Sequence, residues 1–360
     1  MENSFKAEIL QIGQPEDQRK IDVLLNDKSI QKFDTIYTQL EELIKIKFPA
    51  VNFSIAEMNE AIRTHLQGRN MEEYGLWVYY PWSKRLVHTL YEEEFVSVRT
   101  NRNQLKITKE EQDILRTKTV GIIGLSVGQS IALTMAMERI CGTIKLADFD
   151  TAELSNLNRI RTGIHNLNIN KTVIAAREIA EIDPFIDVKI YQEGLTDQNM
   201  EDFMLGTSKL DVLVEVCDGL DIKINSRIAA KKFRIPVIME TNDKCMLDVE
   251  RYDINENYPI LHGLIYEAEV HSLDNLSGED RMNLVKQIVN VENLSARMLD
   301  SFGAMGKSIR SWPQLASSVT MGGAVTTDVT RKILLGEDVV SGRCYFDIDE
   351  VLRNNSMYNN

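Results

Sequence analysis

Two glycines and an acid in the middle of the chain have the types and spacing of a nucleotide-binding turn. Residues 120–123 form an apolar run that is followed by Gly124 and Gly128, and Asp148 ends the next apolar run. Glycines allow a tight strand-to-helix turn close to phosphate, and the helix directs its N-terminus at that anion. An acid about 20 residues after the glycines is where a ribose hydroxyl is bound. The order predicts a strand, a phosphate-binding turn, a helix and a ribose-binding acid.

Three polar residues further along favour a site that handles a triphosphate. Asn156, Arg159 and Lys171 supply one amide and two cations behind the acid. Hydride transfer requires no such cluster, whereas phosphate chemistry develops charge that cations stabilise. The glycine turn alone is less specific, because Ser126 and Val127 stand where another glycine is expected, and a similar turn joins many ordinary strands to helices.

Six motifs occur in one order over roughly 140 residues, and together they are far more specific than any one of them. They are R-T-N-R with Arg99 and Arg102, D-F-D at 148–150, S-N-L-N-R-I at 155–160, Lys171, I-D-P at 182–184, and V-E-V-C-D-G at 214–219. With these motifs, residues 98–236 resemble the ubiquitin-activating-enzyme superfamily. More narrowly, they resemble the bacterial ThiF-type adenylyltransferases that activate small sulfur-carrier proteins.

The resemblance implies a reaction, cofactors and partners. The family uses ATP and Mg²⁺ to activate a carboxylate as an acyl-adenylate, with release of pyrophosphate. The substrate implied here is the C-terminus of a small ubiquitin-like or sulfur-carrier protein, or another carboxylate. A homodimer is also implied, because the family supplies the arginine that corresponds to Arg102 from the partner subunit.

The resemblance also implies a role for each matching residue. Arg102, Arg159, Lys171 and Asp218 are the expected catalytic residues, and Asp218 is the expected Mg²⁺ ligand. The expected nucleotide-binding residues are Gly124, Ser126, Gly128, Asp148, Asn156, Arg159 and Lys171.

Several of these residues also have simpler interpretations. Asn156 suits a cap for a short helix, a role compatible with ligand binding. Lys171 stands at the start of a predicted helix, where the helix dipole disfavours a cation, and this placement favours a functional role. Asp150 is interpreted as structural or as a neighbour of Mg²⁺, and Arg99 as an ion-pairing or positioning residue. Arg161 is interpreted as a surface cation.

The cysteines separate this chain from many members of that family. The four cysteines form no C-x-x-C pair, so no zinc is expected. Cys245 is the candidate by position for thioester or persulfide transfer, and Lys244 beside it would lower a thiol pKa. The residues around Cys245 do not match the family's catalytic loop, so a structural role is favoured. Without a reactive cysteine, the enzyme would stop at the adenylate or pass it directly to another nucleophile.

The order and spacing of the apolar runs predict an α/β fold. Strands and helices alternate between residues 120 and 241, which is typical of a Rossmann-like, mostly parallel sheet with helices on both faces. The predicted adenylation domain covers residues 96–350, with a crossover or insert near 244–315. Residues 1–95 are predicted to form a smaller N-terminal α+β appendage of unknown role.

Three local patterns allow sharper predictions. Residues 33–46 have apolar spacing of three and four, which predicts an amphipathic helix. Residues 76–90 predict a β-hairpin around P-W-S-K, whose aromatic side chains either pack in a core or dimer interface or form a binding platform. The sequence T-K-E-E from Thr108 predicts a capping box.

Composition limits the compartment and the partners. A net charge of −13 argues against nonspecific nucleic-acid binding but not against a local ATP pocket. No apolar run approaches 18 residues, and the first residues do not resemble a signal peptide. Widely separated cysteines indicate no disulfide framework. The expected protein is cytoplasmic and binds no membrane.

Two other functions stay open beside adenylation. A nucleotide-binding scaffold that has lost its chemistry would act as an interaction module, for instance through the N-terminal residues. An NAD-dependent oxidoreductase is favoured only by the strand, glycine turn, helix and acid, and it leaves Asn156, Arg159 and Lys171 unexplained.

Overall fold

The computed structural model describes residues 4–264 and 277–354. The chain divides into two compact units. Unit 1 comprises Met1–Asp113 and Arg177–Ile186, and unit 2 comprises Ile114–Ala176 and Asp187–Asn360. The predicted boundary at residue 95 and the predicted insert at 244–315 stay predictions.

Unit 1 contains a four-stranded sheet with the strand order β1-β3-β4-β2. Its strands and helices are β1 (Glu8–Gln11), α1 (Pro15–Asn26), β2 (Gln31–Asp34), α2 (Ile36–Lys47), α3 (Ile55–Leu66), β3 (Leu76–Tyr80), β4 (Arg85–Thr89) and α4 (Glu92–Arg99). Strands β3 and β4 form an antiparallel pair, which confirms the predicted hairpin. Trp77 and Tyr80 are buried, so they pack in the core of the unit and do not form an exposed platform.

The helix predicted over residues 33–46 starts three residues later in the structure than in the prediction. Phe33 lies in β2, and α2 starts only at Ile36. The Asp34 side chain accepts a hydrogen bond from the Ile36 backbone N–H at 3.2 Å, which favours the break between strand and helix. Apolar spacing alone did not separate a four-residue strand from the helix that follows it.

The chain continues through α5 (Lys109–Leu115), whose N-terminus confirms the predicted capping box. The Thr108 backbone N–H donates to the Glu111 carboxylate at 2.8 Å, and the Glu111 N–H donates to the Thr108 hydroxyl at 3.2 Å. The remaining elements are β5 (Thr119–Ile123), α6 (Gly128–Glu138), β6 (Thr143–Ala147), α7 (Lys171–Ile182), β7 (Asp187–Tyr191), α8 (Met200–Leu205), β8 (Val212–Glu215), α9 (Leu220–Lys232), β9 (Val237–Thr241), β10 (Met246–Glu250), α10 (Gly278–Ile288), α11 (Ala296–Ala304), α12 (Ala316–Leu334), β11 (Gly342–Tyr345) and α13 (Ile348–Asn354).

Unit 2 is built around a seven-stranded sheet with the order β11-β10-β9-β8-β5-β6-β7. The five strands from β9 to β7 in this order are parallel, and β10 and β11 are antiparallel to their neighbours. All five residues of β5 are buried, so both faces of the sheet are covered. The predicted α/β class is therefore confirmed. The order reverses at β5, with β6 on one side and β8 on the other, and ligands bind at such a switch point in open parallel sheets.

None of the helices in the described ranges combines the length and the apolarity that crossing a bilayer requires.

Candidate active site

The glycine loop, residues 124–128, lies at the carboxyl end of β5. Gly124 has a φ of 87°, and a Cβ at this position would lie 2.9 Å from the backbone of Cys217. A Cβ at Gly128 would lie 2.8 Å from a methyl group of Ile122. Both glycines are therefore required by contacts within the protein, where the loop passes close to β8 and turns into α6. Ser126 stands at the tip of this loop.

Asp148, which directly follows β6, hydrogen-bonds the glycine loop. One carboxylate oxygen accepts from the Leu125 backbone N–H at 2.6 Å, and the other accepts from the Asp150 N–H at 2.8 Å. Burial raises the pKa of Asp148, while nearby Lys171 and the two backbone N–H groups oppose that rise. Each carboxylate oxygen has a second lone pair, so the side chain can still accept hydrogen bonds from a ribose.

Lys171 lies at the first residue of α7, next to the same strand end. Its ammonium group is 2.7 Å from the Asp150 carboxylate, and the residue is 6% exposed. The ion pair offsets the unfavourable position of a cation at a helix N-terminus. Asp150 thus has a structural role, in agreement with one of its two interpretations.

Arg159 reaches across to the glycine loop. Its Nε–H donates to the Ser126 hydroxyl at 2.9 Å, and Nη1 donates to the Asn158 side-chain oxygen at 2.9 Å. Burial lowers the pKa of Arg159, and the charge of Asp218 opposes this effect. Ser126, at an expected glycine position, therefore holds a cation beside the loop.

Asn156 takes part in capping a short helix, but it does so as the third residue of that helix and not as the N-cap, which is Glu153. It is 8% exposed, and its side-chain oxygen accepts from the Glu153 backbone N–H at 3.1 Å in the 3-10 helix Leu154–Asn158. Arg161, by contrast, has an exposed side chain.

Asp218 follows β8 and lines a pocket of about 170 Å³. Ser126 and Val127 contribute to the same pocket, so it adjoins the glycine loop. Its other polar lining residues are Lys223, Glu240, Thr241, Asn242, Asp243 and Gln314. Sequence reasoning missed these six residues. A signal was present for four of them, because Glu240 and Thr241 end the strand predicted at 236–241 and Asn242 and Asp243 follow it, and parallel strands end at one edge of the sheet.

A buried ionic network supports the strand that leads to Asp218. Lys223 lies 2.9 Å from both carboxylate oxygens of Glu215, and Arg227 bonds Glu215 at 2.7 Å and Glu250 at 2.5 Å. Burial alone would raise the pKa of Glu215, but Lys223 and Arg227 lower it to about 2. The network fixes the end of β8 three residues before Asp218.

Cys245 lacks the environment of a reactive thiol. It is 2% exposed, and burial raises its pKa to about 12. The expectation that Lys244 would lower this pKa is wrong, because the Lys244 ammonium lies 3.4 Å from the Asp347 carboxylate. Within the ranges that the structure describes, no group of three or more His, Cys, Asp and Glu side chains is arranged to hold a metal ion.

The two upstream arginines belong to unit 1. Arg99 pairs with Asp183 at 2.9 Å, as expected for an ion-pairing residue. Arg102 lies in the 3-10 turn Asn101–Asn103 and has an exposed side chain. Both arginines line a cavity of about 900 Å³ within unit 1.

Comparison with known proteins identifies the family. Residues 100–258 match the model of the ThiF family. This segment is a ThiF-type domain. An uncharacterised protein of Mycobacterium tuberculosis is 42% identical over 282 residues, which cover 78% of this chain and 39% of that protein. The tRNA threonylcarbamoyladenosine dehydratase of Bacillus subtilis is 28% identical over 156 residues, which cover 43% of this chain and 60% of that enzyme.

The chain thus spans less than two thirds of the length of these curated relatives. Among solved structures, TcdA (CsdL) matches with a TM-score of 0.50 and 14% identity, over 69% of this chain and 98% of that one. At this identity the likeness shows the fold alone.

Proposed function

We propose that unit 2 binds Mg²⁺-ATP and transfers AMP to a carboxylate. The observation that carries this proposal is the arrangement around the glycine loop. Asp148 and Arg159 both bond the loop, Lys171 lies at the adjoining strand end, and Asp218 lines the pocket beside Ser126. An acid for ribose, two cations for phosphates and an open pocket are the parts that adenylation requires.

In the proposed reaction, a carboxylate oxygen of the substrate attacks the α-phosphorus of ATP. A new bond forms between that oxygen and phosphorus, the bond from α-phosphorus to its bridging oxygen breaks, and pyrophosphate leaves. Arg159 and Lys171 would stabilise the negative charge on the phosphate oxygens, since fixed cations in a partly dry site act strongly on developing charge. Ser126 and Asp150 hold these two cations in place.

Asp218 fits the proposed Mg²⁺ site because Mg²⁺ is usually held by one or two carboxylates together with phosphate oxygens and water. When bound, Mg²⁺ would neutralise charge on the leaving pyrophosphate. Asp218 would hold the ion. The Asp218 charge affects the pKa of Arg159, so the two side chains are close enough to act on the same phosphates.

The proposed substrate is the C-terminus of a small ubiquitin-like or sulfur-carrier protein. The proposed assembly is a homodimer in which Arg102 acts from the partner subunit. The exposed position of Arg102 is compatible with such a role. A nucleoside carboxylate is the other substrate to compare, because the matched Bacillus subtilis relative is named a tRNA threonylcarbamoyladenosine dehydratase.

Exchange of labelled pyrophosphate into ATP tests this proposal. The assay would use the full chain with Mg²⁺ and candidate carboxylates, including carrier-protein C-terminal peptides. Exchange that depends on both Mg²⁺ and the carboxylate is expected. Exchange that is absent for every carboxylate, with no binding of Mg²⁺-ATP, would refute the proposal.

A further inference from the structure

Phe149 presents an exposed aromatic ring directly after Asp148, the acid assigned to the ribose. The residue is 74% exposed, whereas Asp148 is buried. Single apolar residues are common on protein surfaces, so exposure alone assigns no role to this ring. Phe149 differs from an ordinary surface residue in three respects, which are the fixed backbone around it, the contact that supports its ring and its place along the edge of the sheet.

The backbone on both sides of Phe149 is held by hydrogen bonds. The Asp148 N–H donates to the Tyr191 carbonyl at 3.3 Å, and the Asp148 carbonyl accepts from the Asn170 side chain at 3.1 Å. The Asp150 N–H donates to the Asp148 carboxylate at 2.8 Å. These bonds limit the positions that the ring can take, so little freedom is lost when a ligand binds against it.

Gly194 supports the ring from the neighbouring strand end. It follows β7, which pairs in parallel with β6. A Cβ at Gly194 would lie 3.0 Å from a ring carbon of Phe149, so the absence of a side chain lets the ring lie close to this backbone. The Asp148 carboxylate is directed the other way, toward the glycine loop, because it bonds the Leu125 N–H at 2.6 Å. One edge of the ring is thus held by the protein, and most of its surface stays open.

The order of the strands places Phe149 where the base of a bound nucleotide would lie. Asp218 follows β8, and the glycine loop follows β5. Asp148 follows β6, and Gly194 follows β7. These four strands are adjacent and parallel, and adjacent strands are about 4.8 Å apart. A nucleotide with its phosphates at the glycine loop and its ribose at Asp148 therefore extends its base toward the end of β7.

We propose that Phe149 stacks on the adenine of ATP and completes the nucleotide site at the end of β7. This inference rests on the proposed adenylation, which requires ATP. A purine is flat and has a π-face that stacks on an aromatic ring, and such stacking strengthens binding without reading the hydrogen-bonding edge of the base. Phe149 would hold the nucleotide and would make no contact with the reacting phosphorus.

Two ligands that differ in the presence of the base test the inference. Mg²⁺-ATP carries adenine, whereas Mg²⁺-tripolyphosphate has the phosphate chain alone. Dissociation constants would be measured by calorimetry on the wild type, Phe149→Ala and Phe149→Trp. Because the ring is mostly exposed, these variants lose little buried surface and are expected to fold. Ile254→Ala is the matched control, because Ile254 is 66% exposed and follows β10, which is antiparallel to β9 and so ends at the opposite edge of the sheet.

We expect Phe149→Ala to weaken Mg²⁺-ATP binding by about tenfold or more, since alanine removes a stacking partner of the base. Its affinity for Mg²⁺-tripolyphosphate, and both affinities of Ile254→Ala, should stay within about twofold of wild type. Phe149→Trp keeps an aromatic surface and should bind Mg²⁺-ATP within about threefold of wild type. Its additional tryptophan fluorescence, measured against the wild type with three tryptophans, should be quenched by Mg²⁺-ATP but not by Mg²⁺-tripolyphosphate.

Equal Mg²⁺-ATP affinities in the wild type and Phe149→Ala would overturn the assignment of Phe149. A loss of the same size for both ligands would also overturn it, because the variant would then disturb the phosphate site and not the contact with the base. Unquenched fluorescence of Phe149→Trp at saturating Mg²⁺-ATP would contradict stacking. Failure of the wild type to bind Mg²⁺-ATP is a different result, because it removes the proposed adenylation and refutes this inference with it.

Discussion

Replacement of Arg159 by alanine should disable adenylation without unfolding the chain. The side chain is partly buried and donates to Ser126 at 2.9 Å and to Asn158 at 2.9 Å. It is therefore held rigidly beside the loop that would contact the phosphates. Arg161 is two residues away and exposed, which makes Arg161→Ala a matched control that removes the same charge from the same segment.

The expected magnitude follows from the role of a fixed cation. Loss of one preorganised donor to developing charge typically lowers turnover by about 100-fold to 1,000-fold, or about 3 to 4 kcal/mol. The two hydrogen bonds to Ser126 and Asn158 are partly solvent-exposed, so their loss should cost about 1 kcal/mol of folding free energy or less. Catalytic loss and stability loss are therefore well separated.

The assay is pyrophosphate exchange together with thermal unfolding on wild type, Arg159→Ala, Arg159→Lys and Arg161→Ala. We expect Arg159→Ala to lose at least about 100-fold in rate and Arg161→Ala to stay within about twofold of wild type. Arg159→Lys should be intermediate, because it keeps the charge but not the planar fork of donors. Equal rates in Arg159→Ala and wild type would refute the role of Arg159.

Three further predictions follow from the site and its supports. Asp148→Asn should weaken Mg²⁺-ATP binding by about tenfold or more in calorimetry. The change replaces one carboxylate oxygen by an NH₂ group, so an acceptor is lost for the Leu125 N–H or for the ribose. Unchanged affinity would contradict the ribose role. Cys245→Ser should keep its exchange rate within about twofold, and mass spectrometry should find Cys245 unlabelled by iodoacetamide at pH 8, since its pKa is about 12; labelling under native conditions would argue against this. The folded pKa of Glu215, about 2, is below its ordinary value of 4.5, so its contribution to stability is complete above about pH 4.5 and is lost as the pH falls toward 2. Glu215→Gln should flatten the acid limb of a stability–pH curve, and an unchanged acid limb would contradict the lowered pKa.

The parallel sheet of unit 2 was predictable because its central strands are short and almost entirely apolar. No polar residue occurs in the run 120–123, and Glu215 is the only polar residue in the run 212–216. Strands that are buried on both faces have this composition. The Thr108 capping box was predictable for a different reason, since both partners lie within one helical turn. The strand at Phe33 was not, because four residues contain too little periodicity to define a strand.

The candidate site was predictable only where its residues follow known motifs. The contact between Arg159 and Ser126 joins residues 33 positions apart, and nothing local in the sequence indicates that the serine would hold the arginine. Glu240 is a harder case, because a charged residue at the end of an apolar strand is usually solvated. Its burial depends on Gly322, which lies more than 80 positions further along the chain.

Thermal unfolding with and without nucleotides tests the central claim most directly. The midpoint would be measured with Mg²⁺-ATP, with ATP alone and with NAD, on wild type and on Lys171→Ala. A ligand at about 100 times its dissociation constant adds about 2.7 kcal/mol of stability, which should raise the midpoint by a few degrees. We predict this rise with Mg²⁺-ATP on the wild type, a smaller rise on Lys171→Ala, and no rise with NAD. A rise with NAD alone, or no rise with Mg²⁺-ATP, would contradict the adenylation site.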